Sequence, residues 1–329
     1  MVRVLCVSLL LFNFSSPLRA WDESGHRLTA EIAYTYLTNE IKQDLFEILA
    51  QHPRYQQDFM DAMPREIRRG TTRQREVWLF GRAAFWPDLA RRLSRDEQEK
   101  YNRPIWHYID GSLLRGNATI QGNTYIGIDP LPDKQDTPVT NNSSDDVTNI
   151  LQSLDYNAAV LTNTSSRDED KAIAMCWILH LIADIHQPLH TGSLFSALTF
   201  PTGDGGGNGV QANGRTLHLV WDRALTGLDY DETLQRVLIE IDQSSSDQLA
   251  LELSDWTSWM QESRVILKSN AVYNRQIREA ISVAEQERSN LVVVQLGEPY
   301  LAEMKRISLN RLADAGKRLA GWFNQNPAR

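Results

Sequence analysis

The segment His180-Leu-Ile-Ala-Asp-Ile-His-Gln-Pro-Leu-His190 constrains this chain more than any other. It places three histidines and an aspartate on an apolar run that reads as a helix. At about 100° per residue, His180 and Asp184 lie about 40° apart on one helix face, within reach of a single ion. A second His-x3-Asp pair follows at His218 and Asp222. A buried Asp on an apolar helix is unfavourable unless it is paired or bound to a metal. Two such pairs therefore point to a metal cluster, with zinc the best match to this ligand set. The same geometry puts His186 and His190 on another face unless Pro188 bends the chain. Spacing alone does not choose between them.

The first twenty residues read as a secretory signal. Met1-Val2-Arg3 is a short positive start, and Val4 to Phe12 is mostly apolar but too short to span a bilayer. Leu18-Arg19-Ala20 ends on a small residue. Cleavage there makes Trp21 the N-terminus of one domain, 21–329, with no membrane anchor, so the expected location is secreted or periplasmic. Removing Arg3 and Arg19 takes the net charge from −8 to −10. So acidic a chain is a poor candidate for sequence-independent binding along a DNA duplex, although bound metal can make one pocket positive. Cys6 leaves with the signal and Cys176 is then alone, so no internal disulfide forms. Asn117, Asn141, Asn142 and Asn163 head Asn-x-Ser/Thr sites, usable only in a eukaryotic secretory route.

Strand signals are scarce and helical periodicity dominates, which predicts an all-α fold. The pattern places helices near 24–38, 40–50, 56–69, 73–92, 146–162, 167–187, 230–243, 255–270, 274–290 and 298–324. Asp146 and Ser254 read as N-caps, with Asp255 favourable at the dipole's positive end. Residues 115–145 and 197–215 read as long loops. The second contains Gly203-Asp-Gly-Gly-Gly-Asn-Gly209, which lacks the Gly-Lys-Ser/Thr ending of a phosphate loop. It reads instead as a tight path that brings His218 and Asp222 towards the first cluster. Candidate ligands come from both halves of the chain, so one domain is expected.

Three further stretches join the set. Trp21-Asp-Glu-Ser-Gly-His26 would place a histidine five residues from a free α-amino group. Phe85-Trp-Pro-Asp88-Leu-Ala-Arg91-Arg92 and Trp106-His107-Tyr-Ile-Asp110 are each weak alone. Asp88 could be a helix cap, and a histidine among aromatics is usually core. The second of these stretches could be extended.

Together these motifs resemble the zinc-dependent single-strand-specific nuclease family, which includes secreted fungal and plant nucleases, 3′-nucleotidases and bacterial relatives. The matching elements are Trp21-x4-His26, Trp86-Pro87-Asp88-x2-Arg91, His107-Tyr108-Ile109-Asp110, His180-x3-Asp184-x5-His190 and His218-x2-Trp221-Asp222. The resemblance implies a mostly helical fold around three zinc ions. It assigns Asp88, His107, His180 and Asp184 to one zinc, and His190, His218 and Asp222 to a second. The third takes the Trp21 amine and carbonyl, His26 and Asp184. His186 matches no family ligand. Asp88, Arg91 and Asp184 are the implied catalytic residues, and Tyr108 and Asp110 the base-holding pair. The implied substrates are single-stranded RNA and DNA and 3′-nucleotides, cleaved by a zinc-bound hydroxide to leave 5′-phosphates. Three zincs bring +6 and three aspartates −3, a formal +3 pocket in a −10 protein. A zinc phospholipase C, similar in fold and metal cluster, is the nearest alternative. The short Trp-x4-His opening, Asp222 in place of Glu and the Tyr108–Asp110 pair weigh against it. A non-catalytic zinc-binding protein would keep the ligands without needing Arg91 or Tyr108.

Overall fold

A computed structural model describes residues 21–115, 124–125, 144, 147–243 and 255–327. The helical expectation holds. Helix α1 (Glu23–Tyr36) starts where Asp22 accepts the backbone N–H groups of Ser24 and Gly25. Thr38 caps α2 (Asn39–Leu49), and a six-residue π turn follows at Tyr55–Met60. Then come α3 (Arg65–Arg69) and α4 (Thr72–Ala90), the latter opened by a reciprocal Thr71–Gln74 capping box. Helix α5 (Arg95–Tyr101) and a 3₁₀ turn at Pro104–His107 lead into β1 (Asp110–Arg115). After β2 (Thr124–Tyr125) stand α6 (Ile150–Thr162) and α7 (Asp168–Asp184). A 3₁₀ turn at Pro188–His190 is followed by β3 (Ser193–Ser196), β4 (Gln211–Ala212) and β5 (Arg215–Thr216). The chain closes with α8 (Leu217–Asp222), α9 (Tyr230–Gln243), α10 (Trp256–Lys268), α11 (Arg275–Glu287) and α12 (Glu298–Gln325).

Helix α7 is the axis of the fold. Nearly every residue from Lys171 to Asp184 is buried, so it has no solvated face and lies inside the bundle. It packs on α4 and α6, while α1 packs on α4 and α12. Gly316 permits that last approach, because a Cβ there would lie 2.6 Å from the Ile32 side chain. One apolar cluster gathers α2, α4, α6 and α7, and a second gathers α8, α9 and α11. Helix α1 feeds both, through Ala30 and Ala33 on one side and Leu28 and Ile32 on the other. The small sheet runs in the order β2-β1-β3, all parallel, with Ser112 opposite Ser193 and Arg115 opposite Ser196.

Several boundaries differ from the sequence expectation for identifiable reasons. The helix expected over 56–69 breaks ahead of Pro64, which disfavours helical backbone in the preceding residue. The one expected over 167–187 ends at Asp184, because Gln187 precedes Pro188 and is extended (φ −87°, ψ 116°). Asn149 caps α6, so that helix starts later than expected, and Asp255 is itself the cap of α10. Asp146 and Ser254 lie outside the described residues. The same is true of residues 1–20, Asn117, Asn141, Asn142 and most of the 115–145 segment. Helix α5 was not anticipated, and α8 was anticipated only through the helical spacing of His218 and Asp222. His107 sits on a 3₁₀ turn, and extended backbone begins only at Tyr108 (φ −151°, ψ 168°). Cys176 is buried core, and burial pushes its thiol up. Among the described residues no helix is long and apolar enough to cross a membrane.

Candidate metal centre

Eight of the expected ligand side chains converge. His26 comes from the first turns of α1, Asp88 from the last turn of α4 and His107 from the 3₁₀ turn. His180 and Asp184 close α7, His190 ends the turn after it, and His218 and Asp222 span the short α8. All eight are buried. Among the described residues they form three groups able to hold a metal ion: His26, Asp88 and His180; His107, His180 and Asp184; and His190, His218 and Asp222. Asp184 stands at the junction. Its Oδ2 is 3.0 Å from His107 Nδ1 and 3.1 Å from His180 Nε2, and its Oδ1 is 3.4 Å from His26 Nε2.

Backbone carbonyls aim three of the histidines. His180 Nδ1 donates to Ala84 O (2.8 Å), His190 Nδ1 to His107 O (2.6 Å) and His218 Nδ1 to Gly206 O (2.6 Å). A carbonyl only accepts, so each Nδ1 carries the proton and each Nε2 keeps a lone pair for a metal. Gln187 does the same service for Asp222, donating from Nε2 to Oδ1 at 2.8 Å. His186 is turned elsewhere. Its Nδ1 donates to Ile182 O and its Nε2 accepts from Arg318, so both nitrogens are used.

The donor set fits a cation. Among the described residues six buried atoms of these side chains make no hydrogen bond: both ring nitrogens of His26, His107 Nε2, Asp184 Oδ1, Asp222 Oδ2 and Asp88 Oδ1, the last having only the Arg91 guanidinium beside it. Orphaned buried polar atoms are rare in folded proteins, and six in one place call for an ion. The titration behaviour agrees. Burial pushes Asp184 up to about 6 and holds Asp222 well above the usual carboxylate range. Burial also holds His26 and His107 well below the usual histidine range. Burial opposes charge on His180 as well, but the adjoining Asp184 outweighs it and raises that group. Without a cation the carboxylates resist ionising, and a divalent ion reverses that logic.

The other expected residues are placed as follows. Trp21 is fully buried and its indole donates to Ala183 O, while Asp22 N donates to Asp222 O. Residues 21 and 22 are thereby stitched to both His-x3-Asp helices. Arg91 Nη2 lies 3.1 Å from Asp88 Oδ1. Tyr108 is half-buried beside His107, and its carbonyl accepts from Ile150 N at the start of α6. Asp110 opens β1, but its side chain lies outside the described residues. Sequence reasoning missed Gln187, Gly206 and the Ala84 carbonyl. A buried glutamine between a histidine and a proline was the one available signal. The two backbone carbonyls carried none.

Comparison with known proteins agrees with this centre. The S1/P1 nuclease family model matches residues 21–327. Endonuclease 3 of Arabidopsis thaliana is 28% identical over 98% of this chain and 95% of its own length. Endonuclease 1 of the same plant is 23% identical over 98% and 92%, and Endonuclease 4 is 26% identical over 73% and 74%. A match over nearly the whole chain, around a buried histidine–aspartate centre, leads to one conclusion: the chain belongs to the S1/P1 nuclease family and is a phosphoester hydrolase acting on nucleic acid.

Proposed function

We propose that the protein is an exported endonuclease that hydrolyses single-stranded RNA and DNA to 5′-phosphate products and also acts as a 3′-nucleotidase. The observation that supports it best is the buried convergence of eight His and Asp side chains, six of whose atoms lack hydrogen bonds. In this reading Asp88, His107, His180 and Asp184 hold one zinc, and His190, His218 and Asp222 a second. The Trp21 amine and carbonyl, with His26 and Asp184, hold a third, which requires cleavage after Ala20. Zinc, when bound, supplies a water of lowered pKa and a Lewis acid facing the phosphate.

The chain's own residues supply the rest. Asp88 tethers Arg91 at 3.1 Å, so the guanidinium is held ready for the phosphoryl oxygens. Tyr108 stacks a base, and it can do so only when that base is unpaired. Asp110 accepts from base N–H groups. Nothing in the scheme needs a 2′-hydroxyl, so both RNA and DNA serve.

The test uses cleaved, zinc-loaded protein with matched single- and double-stranded RNA and DNA, and with phosphatidylcholine. Single strands should disappear first and yield 5′-phosphate ends. Lipid turnover without nucleotide release overturns the reading. Arg91→Ala should slow hydrolysis by about 10²–10³-fold with zinc content intact. Tyr108→Ala should raise KM by about tenfold.

A further inference from the structure

We infer that Gly206 is a positioning residue of the metal centre: its backbone orients His218, and no residue bearing a Cβ can take its place. The inference rests on reading His190, His218 and Asp222 as a metal group, and it is independent of the substrate. Gly206 is held from both sides. Its carbonyl accepts from His218 Nδ1 at 2.6 Å, and its N–H donates to Ser193 Oγ at 2.9 Å. The carbonyl contact sets the tautomer of His218 and turns Nε2 towards Asp222, whose Oδ2 is 3.4 Å away.

The steric requirement is separate from the hydrogen bonds. Gly206 has φ +60°, and a Cβ there would lie 2.3 Å from the carbonyl oxygen of Leu189. That oxygen belongs to backbone and has no flexible end to move aside. Leu189 directly precedes His190. A side chain at 206 would therefore disturb two members of one metal group, His218 through its hydrogen bond and His190 through the backbone before it. Ser193 ties the same point to the sheet, opposite Ser112 on the strand that Asp110 opens. The glycine run thus frames the metal centre with its backbone, a role distinct from cradling a phosphate.

The neighbouring glycine supplies the control. Gly205 has φ +62°, almost the same left-handed backbone, but among the described residues a Cβ there would meet nothing nearer than Asn208 Cβ at 3.8 Å. Alanine at either position carries the same conformational penalty, and only alanine at 206 carries the collision. Chelated wild type, Gly205→Ala and Gly206→Ala would be titrated with zinc alone, counting metal per chain, and then loaded with cobalt(II) for absorption spectra. Gly206→Ala should bind one class of zinc about 10–100-fold more weakly and show an altered cobalt spectrum, with Gly205→Ala matching wild type. Equal losses in both variants, or none in Gly206→Ala, overturn the inference. If Gly206→Ala does not fold, Ser193→Ala replaces it, and unweakened zinc binding there is the overturning result. Full zinc in Gly205→Ala without hydrolysis of single-stranded DNA would sink the proposed function and leave Gly206 standing.

Discussion

Two regions meet at the turn after α7 and work to opposite ends. On one side the buried histidines and aspartates are held close together, with Asp184 pushed up to about 6 by burial. Burying ionisable groups in this way weakens the fold unless a cation offsets it. On the other side α10 and α12 hold no candidate ligand. They supply donors to backbone carbonyls of the segment that follows α7, from Ile185 to Thr191. Ser263 Oγ donates to Ile185 O, Arg311 Nε to His186 O and Arg264 Nε to Thr191 O. Glu262 then accepts from both Arg311 and Arg318. The turn that carries the candidate ligand His190 is thus shaped from behind by helices that contribute none of the eight converging side chains.

The histidine–aspartate side is the more sensitive of the two. Asp184→Asn keeps the shape and removes the charge that faces His26, His107 and His180. Zinc binding at the groups sharing Asp184 should weaken beyond the about 10–100-fold typical of losing an outer hydrogen-bond partner, and nuclease activity should fall to background. In chelated protein at neutral pH the sign reverses. A carboxyl whose folded pKa is raised weakens the fold as pH rises past its unfolded value, so Asn should melt higher than Asp there. Metal counting and paired melts check both parts; a chelated variant that melts lower denies that this side is held at a stability cost.

Arg311→Met attacks the other side. It removes donors from His186 O, Trp259 O and Ser263 Oγ and an ion pair from Glu262. Arg311 is nearly buried but Glu262 is not, so about 3 kcal/mol is a reasonable size, seen as a fall of several degrees in Tm. At saturating zinc the metal count should stay that of wild type. If zinc is lost as in Asp184→Asn, the two regions are not separable and the comparison fails.

The same contrast explains what was legible in the sequence. Zinc chemistry restricts ligands to a few residue types, so His180-x3-Asp184 and His218-x3-Asp222 stood out against an apolar background. The choice between His190 and His186 was not decidable from spacing. It depends on Gln187 turning extended before Pro188, and on Arg318 reaching His186 from 132 residues away. The C-terminal donors were invisible for a related reason. Arginine, serine and glutamate are common on helices, and here they act on backbone carbonyls, which leave no side-chain pattern. Gly206 was seen only as a turn former, because its partner interaction also runs through backbone.

Glu262 offers a finer probe of the C-terminal side. Burial works against the Glu262 carboxylate, but hydrogen bonds and charge from Arg318 and Arg311 outweigh it and hold the group below its ordinary 4.5. A depressed folded pKa contributes stability that is fully present above the unfolded value and is lost as pH falls through the folded one. Wild type should therefore melt above Glu262→Gln by a constant margin at pH 5 to 7. That margin should shrink below about pH 4.5 and vanish at lower pH. Taking the difference between the two proteins at each pH cancels any effect of acid on bound metal, since both carry the same candidate ligands. The side chain is 42% exposed, so solvent screens the pair and the margin should be small. A margin independent of pH would mean that Glu262 acts through packing and not through its charge.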